Sequence, residues 1–96
     1  MEFVFSGELF EWRGPAPYIY VRVPEDESAD IKEASALLSY GWGCLYVHVT
    51  IGDTRWRTAL FPKDGGYLVP VKAAVQKAER IGVGSLVDVH LTAGEQ

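Results

Sequence analysis

The stretch Trp56–Leu91, WRTALFPKDGGYLVPVKAAVQKAERIGVGSLVDVHL, limits what this chain can fold into more than any other part of it. It reads as strand, Gly-rich turn, short strand, amphipathic helix, glycine pair and final strand. Arg55–Phe61 has strand composition. Pro62-Lys-Asp-Gly-Gly66 is a turn, since proline fixes φ and glycine accepts positive φ at no steric cost. After a short strand, Tyr67–Val69, the apolar residues Val71, Ala74, Val75, Ala78 and Ile81 recur at helical spacing, with Lys72, Gln76, Lys77 and Arg80 outside. That pattern predicts a helix over 71–81, with Lys77 and Arg80 at its negative end and Gly82 as its stop. In Ser85–Leu91, Val87, Val89 and Leu91 share one face and Asp88 and His90 the other, as in a half-buried strand. Elements in this order form the unit of a small β-barrel.

The first half reads similarly. Phe3–Arg13 has strand composition, and Ser6-Gly7 interrupts it with a bulge or sharp bend. Arg13-Gly-Pro-Ala-Pro17 is a turn, and Tyr18–Val23 alternates, with Ile19, Val21 and Val23 inward and Tyr18, Tyr20 and Arg22 outward. Pro24 ends that strand. The acidic run Glu25-Asp26-Glu27 leads into a helix predicted over 28–39, with Ser28 as its N-cap and a thin apolar stripe of Ile31, Ala34 and Leu38. Tyr40-Gly-Trp-Gly43 punctuates the change to Cys44–Ile51, the strongest strand signal, which Gly52-Asp53 joins to Arg55–Phe61 by a tight hairpin. The halves echo each other. Val23-Pro24, a helix, Gly41-Trp-Gly43 and Tyr46-Val-His-Val49 match Phe61-Pro62, a helix, Gly82-Val-Gly84 and Asp88-Val-His-Leu91. The echo predicts a pseudo-twofold barrel in which each half buries its strands against the other.

The run Gly41-Trp-Gly43, Thr50-Ile-Gly-Asp53, Leu60-Phe-Pro-Lys-Asp-Gly65, Val69-Pro-Val-Lys72 and Gly82-Val-Gly84 closely resembles the bacterial "domain of unknown function 1905" family. The resemblance covers nearly the whole chain from Phe3 to Leu91 and is densest after Trp42. It implies a mostly β fold: a double-split β-barrel with two short α-helices, in a single domain over 1–96 with an ordered core of about 3–92. That family has no agreed activity or catalytic residues, so none carries over. The implied fold is also similar to the barrel of AbrB and MazE-type DNA-binding proteins, an analogy of fold that does not transfer function.

Composition narrows the function classes. Ninety-six residues, 48% hydrophobic and 23% charged, suit one soluble domain with a modest core. No apolar run reaches the roughly 18 residues needed to cross a bilayer. The start MEFVFSGELF is no signal peptide, and a lone Cys44 forms no internal disulfide, so the expected compartment is the cytoplasm. A net charge of −4 weighs against generic nucleic-acid binding, which depends on neutralising phosphates.

No catalytic constellation emerges. His48 and His90 occupy equivalent outer strand positions, but a metal site needs two or more further donors. Cys44 has no Cys/His signature around it, no Gly-x-Ser-x-Gly elbow is present, and the glycine pairs precede strands where a phosphate loop would open a helix. The expectation is therefore no catalytic residue, metal or cofactor. Arg55 and Arg57 on one strand face, with Lys63 in the next turn, form a cationic patch. Tyr46, Trp42 and Trp56 lie on nearby segments and read as stacking surface, or, for the two tryptophans, as partial core plugs. The leading reading is a small non-catalytic binding or accessory module for an anionic small molecule or an acidic protein segment. A DNA-binding barrel is the second reading and a cryptic metal enzyme or hydrolase the third. The expected assembly is a monomer or weak homodimer, pairing through an edge strand or the Tyr18/Tyr20 face.

Overall fold

The structure, a computed structural model, describes residues 2–13, 18–38 and 45–93, and for 34–38 the backbone alone. Within them the elements run β1 (Glu2–Trp12), β2 (Tyr18–Arg22), α1 (Glu25–Leu38), β3 (Leu45–Ile51), β4 (Thr54–Lys63), β5 (Gly66–Pro70), α2 (Ala73–Glu79) and β6 (Leu86–Ala93). Every strand pair is antiparallel, and the order β1-β2-β5-β4-β3-β6 closes on itself. The result is a closed, mostly β barrel with two helices. Closure gives each described strand a neighbour on both sides, which reduces the free edge an open sheet would present.

Two long strands make the corners. β1 pairs with β6 through Glu2–Glu8 and with β2 through Leu9–Trp12. β4 likewise pairs with β3 through Thr54–Leu60 and with β5 through Phe61–Lys63. The expected break at Ser6-Gly7 is this corner, and β1 runs through it as one continuous strand. Gly7 is needed there because a Cβ would stand 2.6 Å from Cγ2 of Val21, which is wholly buried. The core fills from inward parities, with Val21 opposite Val69 and Val49 opposite Leu91, all fully buried. Each such side chain stabilises the fold by about 1.5–3 kcal/mol through its removal from water.

Turn chemistry sets the strand ends. Gly52-Asp53 forms the expected two-residue hairpin, with Gly52 at φ +58. The second turn is shorter than the expected Pro62–Gly66. It is Asp64-Gly65 alone, both at positive φ (53 and 79), as a type I′ hairpin demands. Pro62 therefore lies inside β4, near its end, where a missing donor is tolerated.

Both helices follow a proline that closes a hairpin. α1 begins at Glu25, ahead of the expected 28–39, and places Glu25, Asp26 and Glu27 at its positive end. Ser28 is not the cap: it is buried in the first turn, where its hydroxyl donates to the Val23 carbonyl at 3.2 Å. Ile31, wholly buried, joins α1 to the core, and the helix lies against β5. α2 is shorter than the expected 71–81: its N-cap is Lys72, in extended conformation, and the Val71 N–H before it donates to the Ile19 carbonyl at 2.9 Å. Its stop is Arg80, in left-handed conformation at φ 55, and not Gly82. Of the following glycine pair, Gly84 has the positive φ of +91, and its N–H donates to the Leu9 carbonyl where β1 meets β6.

The pseudo-twofold is present in the topology. Exchanging β1 with β4, β2 with β5 and β3 with β6 leaves every neighbour in the ring unchanged. Under this exchange the counterpart of Pro24 is Pro70, not Pro62, since each stands at the end of the second strand of its half, ahead of the helix. Following the registers outward from Pro24 and Pro70 carries His48 onto His90. The echo thus matched the histidines correctly and misplaced the proline. The Gly14–Pro17 turn, Ser39, Tyr40–Gly43, Trp42 and Cys44 lie outside the described residues, as do the side chains of Ala34, Leu37 and Leu38.

Candidate functional site

The residues expected to form one cationic, aromatic face are divided by the fold. Trp56 sits between Arg55 and Arg57 on β4, so when the arginines face solvent it must face inward. It is 7% exposed and belongs to the barrel core. Trp56 is therefore a core residue and offers no stacking surface. Lys63 shares the outward parity of Arg57 but lies six residues further along β4, about 20 Å away at roughly 3.3 Å per residue. Trp42 is outside the described residues. What remains together is Tyr46, Arg55 and Arg57.

Lys63 belongs to a different surface. Its Nζ stands 4.6 Å from the centroid of the Trp12 ring. Trp12 packs at 5.3 Å from Phe61, and Phe10, Tyr18 and Phe61 close around Tyr20 at 5.5–6.3 Å. Tyr20, expected to face solvent, is buried by these rings although it has the outward parity. Burial pushes its phenol pKa up from the usual tyrosine value, with Tyr18 adding to the shift. This aromatic cluster lies on the far side of the sheet from Val21 and Val69, so it is a second, smaller apolar core. Of the Tyr18/Tyr20 face, Tyr20 is covered and Tyr18 stays exposed at 40%. Trp12 was not singled out from sequence, because its contact with Phe61 and Lys63 depends on how the ring of strands closes. Beside it, a shallow groove of about 270 Å³ runs past Lys32, Lys63, Asp64 and Tyr67 at the β4–β5 turn. Lys63 there also faces Asp64 at 4.0 Å.

Tyr46, Arg55 and Arg57 lie on the outer face of the β1-β6-β3-β4 sheet. The registers set its rows. Glu2, Thr92, His48 and Arg57 stand side by side across the four strands, and Val4, His90, Thr50 and Arg55 form the next row. Ser6 beside Asp88 and Glu8 beside Leu86 continue the β1–β6 half, while Tyr46 beside Ala59 extends the β3–β4 half. The Arg57 guanidinium sits 4.4 Å from the Tyr46 ring centroid, and Tyr46 is itself 58% exposed. This cation–π contact holds the guanidinium over the Tyr46 ring. In the opposite half, a Glu2 carboxylate oxygen lies 2.7 Å from His90 Nε2, and the Ser6 hydroxyl donates to Asp88 at 2.7 Å. The face is therefore polarised, with arginines along β4 and carboxylates along β1 and β6.

The profile of a family described as a domain of unknown function (DUF1905) matches residues 5–91. The chain belongs to the DUF1905 family. A search of curated proteins finds no match for it. In this DUF1905 domain, among the described residues, no group of three or more His, Cys, Asp and Glu is placed to hold a metal ion. His48 and His90 lie diagonally across the β3–β6 ladder on the polarised face. Also among the described residues, every buried side-chain nitrogen or oxygen has a hydrogen-bond partner, and no helix is long and apolar enough to cross a membrane.

Proposed function

We propose that this DUF1905 domain is a non-catalytic binding module that engages a carboxylate-bearing protein surface through Tyr46, Arg55 and Arg57. The observation that carries the reading is the exposed Arg57 stacked on an exposed Tyr46, on a sheet face with Arg55 one position along. The shape of the face selects the ligand class. Small-molecule sites are concave and bury most of their ligand, whereas this is the outer surface of a barrel. An exposed aromatic with arginines is the composition that carries protein–protein recognition. Nucleic acid fits less well, because Glu2, Glu8 and Asp88 share the plane and would repel a phosphate backbone tracking across it.

Fluorescence polarisation with a labelled oligoglutamate peptide tests the reading. Binding should be saturable, weaken with salt and vanish in Arg57→Glu without a fall in melting temperature. Equal binding by wild type and Arg57→Glu would remove this face from consideration. Tighter binding to random duplex DNA than to oligoglutamate would favour the DNA-binding alternative.

A further inference from the structure

The chain has two histidines, and both stand on the face that carries Tyr46, Arg55 and Arg57. We infer that His48 is a further ligand-contacting residue of that face. It holds a bound carboxylate in its protonated form, so binding takes up a proton and tightens as pH falls. The inference rests on the proposed binding role of the face and adds how that role is regulated.

The registers give the position. His48 is directly opposite Arg57 on β4, and Tyr46 and Thr50 flank it on the same face of β3. Directly opposed side chains of an antiparallel pair start about 4.5–5.5 Å apart at Cβ, so a carboxylate placed at Arg57 is also within reach of the imidazole. Arg57 leans towards Tyr46, at 4.4 Å from its ring centroid, and His48 is half-buried beside the exposed Tyr46. Imidazole, guanidinium and phenol ring therefore converge on one place.

The surrounding charges set the sign. On β4, His48 faces Arg57, with Arg55 on the diagonal; on β6 it faces Thr92, with His90 on the diagonal; on β3 its titratable neighbour is Tyr46. The carboxylate of its row, Glu2, lies two strands away on β1, with an oxygen 2.7 Å from His90 Nε2. A proton on His90 is thus met by Glu2 within the chain. A proton on His48 stands beside Arg57, and a carboxylate bound between them attracts both charges. Protonation and binding therefore favour each other by the same factor. Imidazole is the side chain whose charge ordinarily changes between about pH 5 and about pH 8. A glutamate ligand stays ionised over about pH 6–8, so acidification there adds charge to the face without removing it from the ligand. The gain is present in the acid part of that range and is lost as pH rises.

Fluorescence polarisation with labelled oligoglutamate at about pH 8 and about pH 6, at one ionic strength, tests this. Wild type should bind at least about fivefold tighter at the lower pH, the low end of the usual coupling between linked sites. Calorimetry in buffers of different ionisation enthalpy should show proton uptake on binding. His48→Gln should lose both the gain and the uptake. His48→Arg, which fixes the charge, should bind with an affinity independent of pH. His90→Gln should keep the wild-type pH dependence. Melting curves at both pH values establish that each variant is folded. Equal wild-type affinity at the two pH values would overturn the inference, as would a pH dependence that survives in His48→Gln or His48→Arg. If wild type binds and Arg57→Glu does not, with no pH dependence in the wild type, His48 fails as a ligand contact and the binding role of the face stands. If oligoglutamate binds neither, or binds Arg57→Glu as it binds wild type at both pH values, both fail.

Discussion

Gly7→Ala perturbs the barrel where β1 changes partners. The new Cβ would stand 2.6 Å from Val21 Cγ2, against an ordinary carbon–carbon separation of about 3.5–4.0 Å. Something must move by about 1 Å. Val21 is poorly able to do so: it is wholly buried, paired with Leu9 and Val69, and restricted at χ1 by its branched β-carbon. Overpacking of this kind costs about 1–3 kcal/mol. Alanine recovers about 0.5–1 kcal/mol of backbone entropy where φ is unstrained. The net loss is about 1–2 kcal/mol, which lowers the melting temperature of a domain this size by roughly 5–15 °C. Thermal and urea unfolding followed by circular dichroism measure it. A double-mutant cycle with Val21→Ala assigns it, because removing Cγ2 should make Gly7→Ala far less costly in that background. An unchanged or raised melting temperature for Gly7→Ala, or additive effects in the cycle, would refute close packing of Gly7 on Val21.

Other outcomes follow from the same coordinates. Trp56→Ala should cost about 3–5 kcal/mol as a core cavity, whereas Tyr46→Ala should change stability by less than about 1 kcal/mol and still weaken oligoglutamate binding; comparing unfolding with binding separates the two roles. Thr54 donates its hydroxyl to Glu79 at 2.6 Å, joining the β3–β4 hairpin to the end of α2. Glu79→Ala should therefore lose about 1 kcal/mol and speed hydrogen exchange at Gly52–Thr54, and unchanged exchange would contradict that link. The raised pKa of Tyr20 means that the folded chain holds its phenolic proton to higher pH than the unfolded chain. That contribution is full below the unfolded value of about 10 and falls as pH rises above it. Tyr20→Phe should flatten the decline measured by alkaline unfolding.

Much of the barrel was legible because a half-buried strand writes its own parity. Leu45, Val47, Val49 and Ile51 alternate in sequence and all four are buried. The same rule applied to Trp56 favours its reading as a core plug over that as stacking surface, since flanking arginines that face water force it inward. Other features needed the third dimension. Ser28 has the chemistry of a cap, and only the position of Pro24 at the end of β2 lets the helix start before it. Arg80 stops α2 because it adopts a conformation more natural to Gly82, and nothing in its side chain announces that. The polarised face could not be read from sequence, since Glu2 and Arg57 become members of one row only when β6 lies between β1 and β3. Lys63 was grouped with the arginines because it is near them in sequence, and the length of β4 separates them.

The central claim is that the working surface of this domain is the outer face of the β1-β6-β3-β4 sheet. Amide chemical-shift mapping during an oligoglutamate titration tests it most directly. The account predicts shifts concentrated at Tyr46–Thr50 and Arg55–Ala59, with the groove residues Lys32, Lys63 and Tyr67 unmoved. Shifts centred on that groove, with Arg55 and Arg57 unaffected, would contradict it.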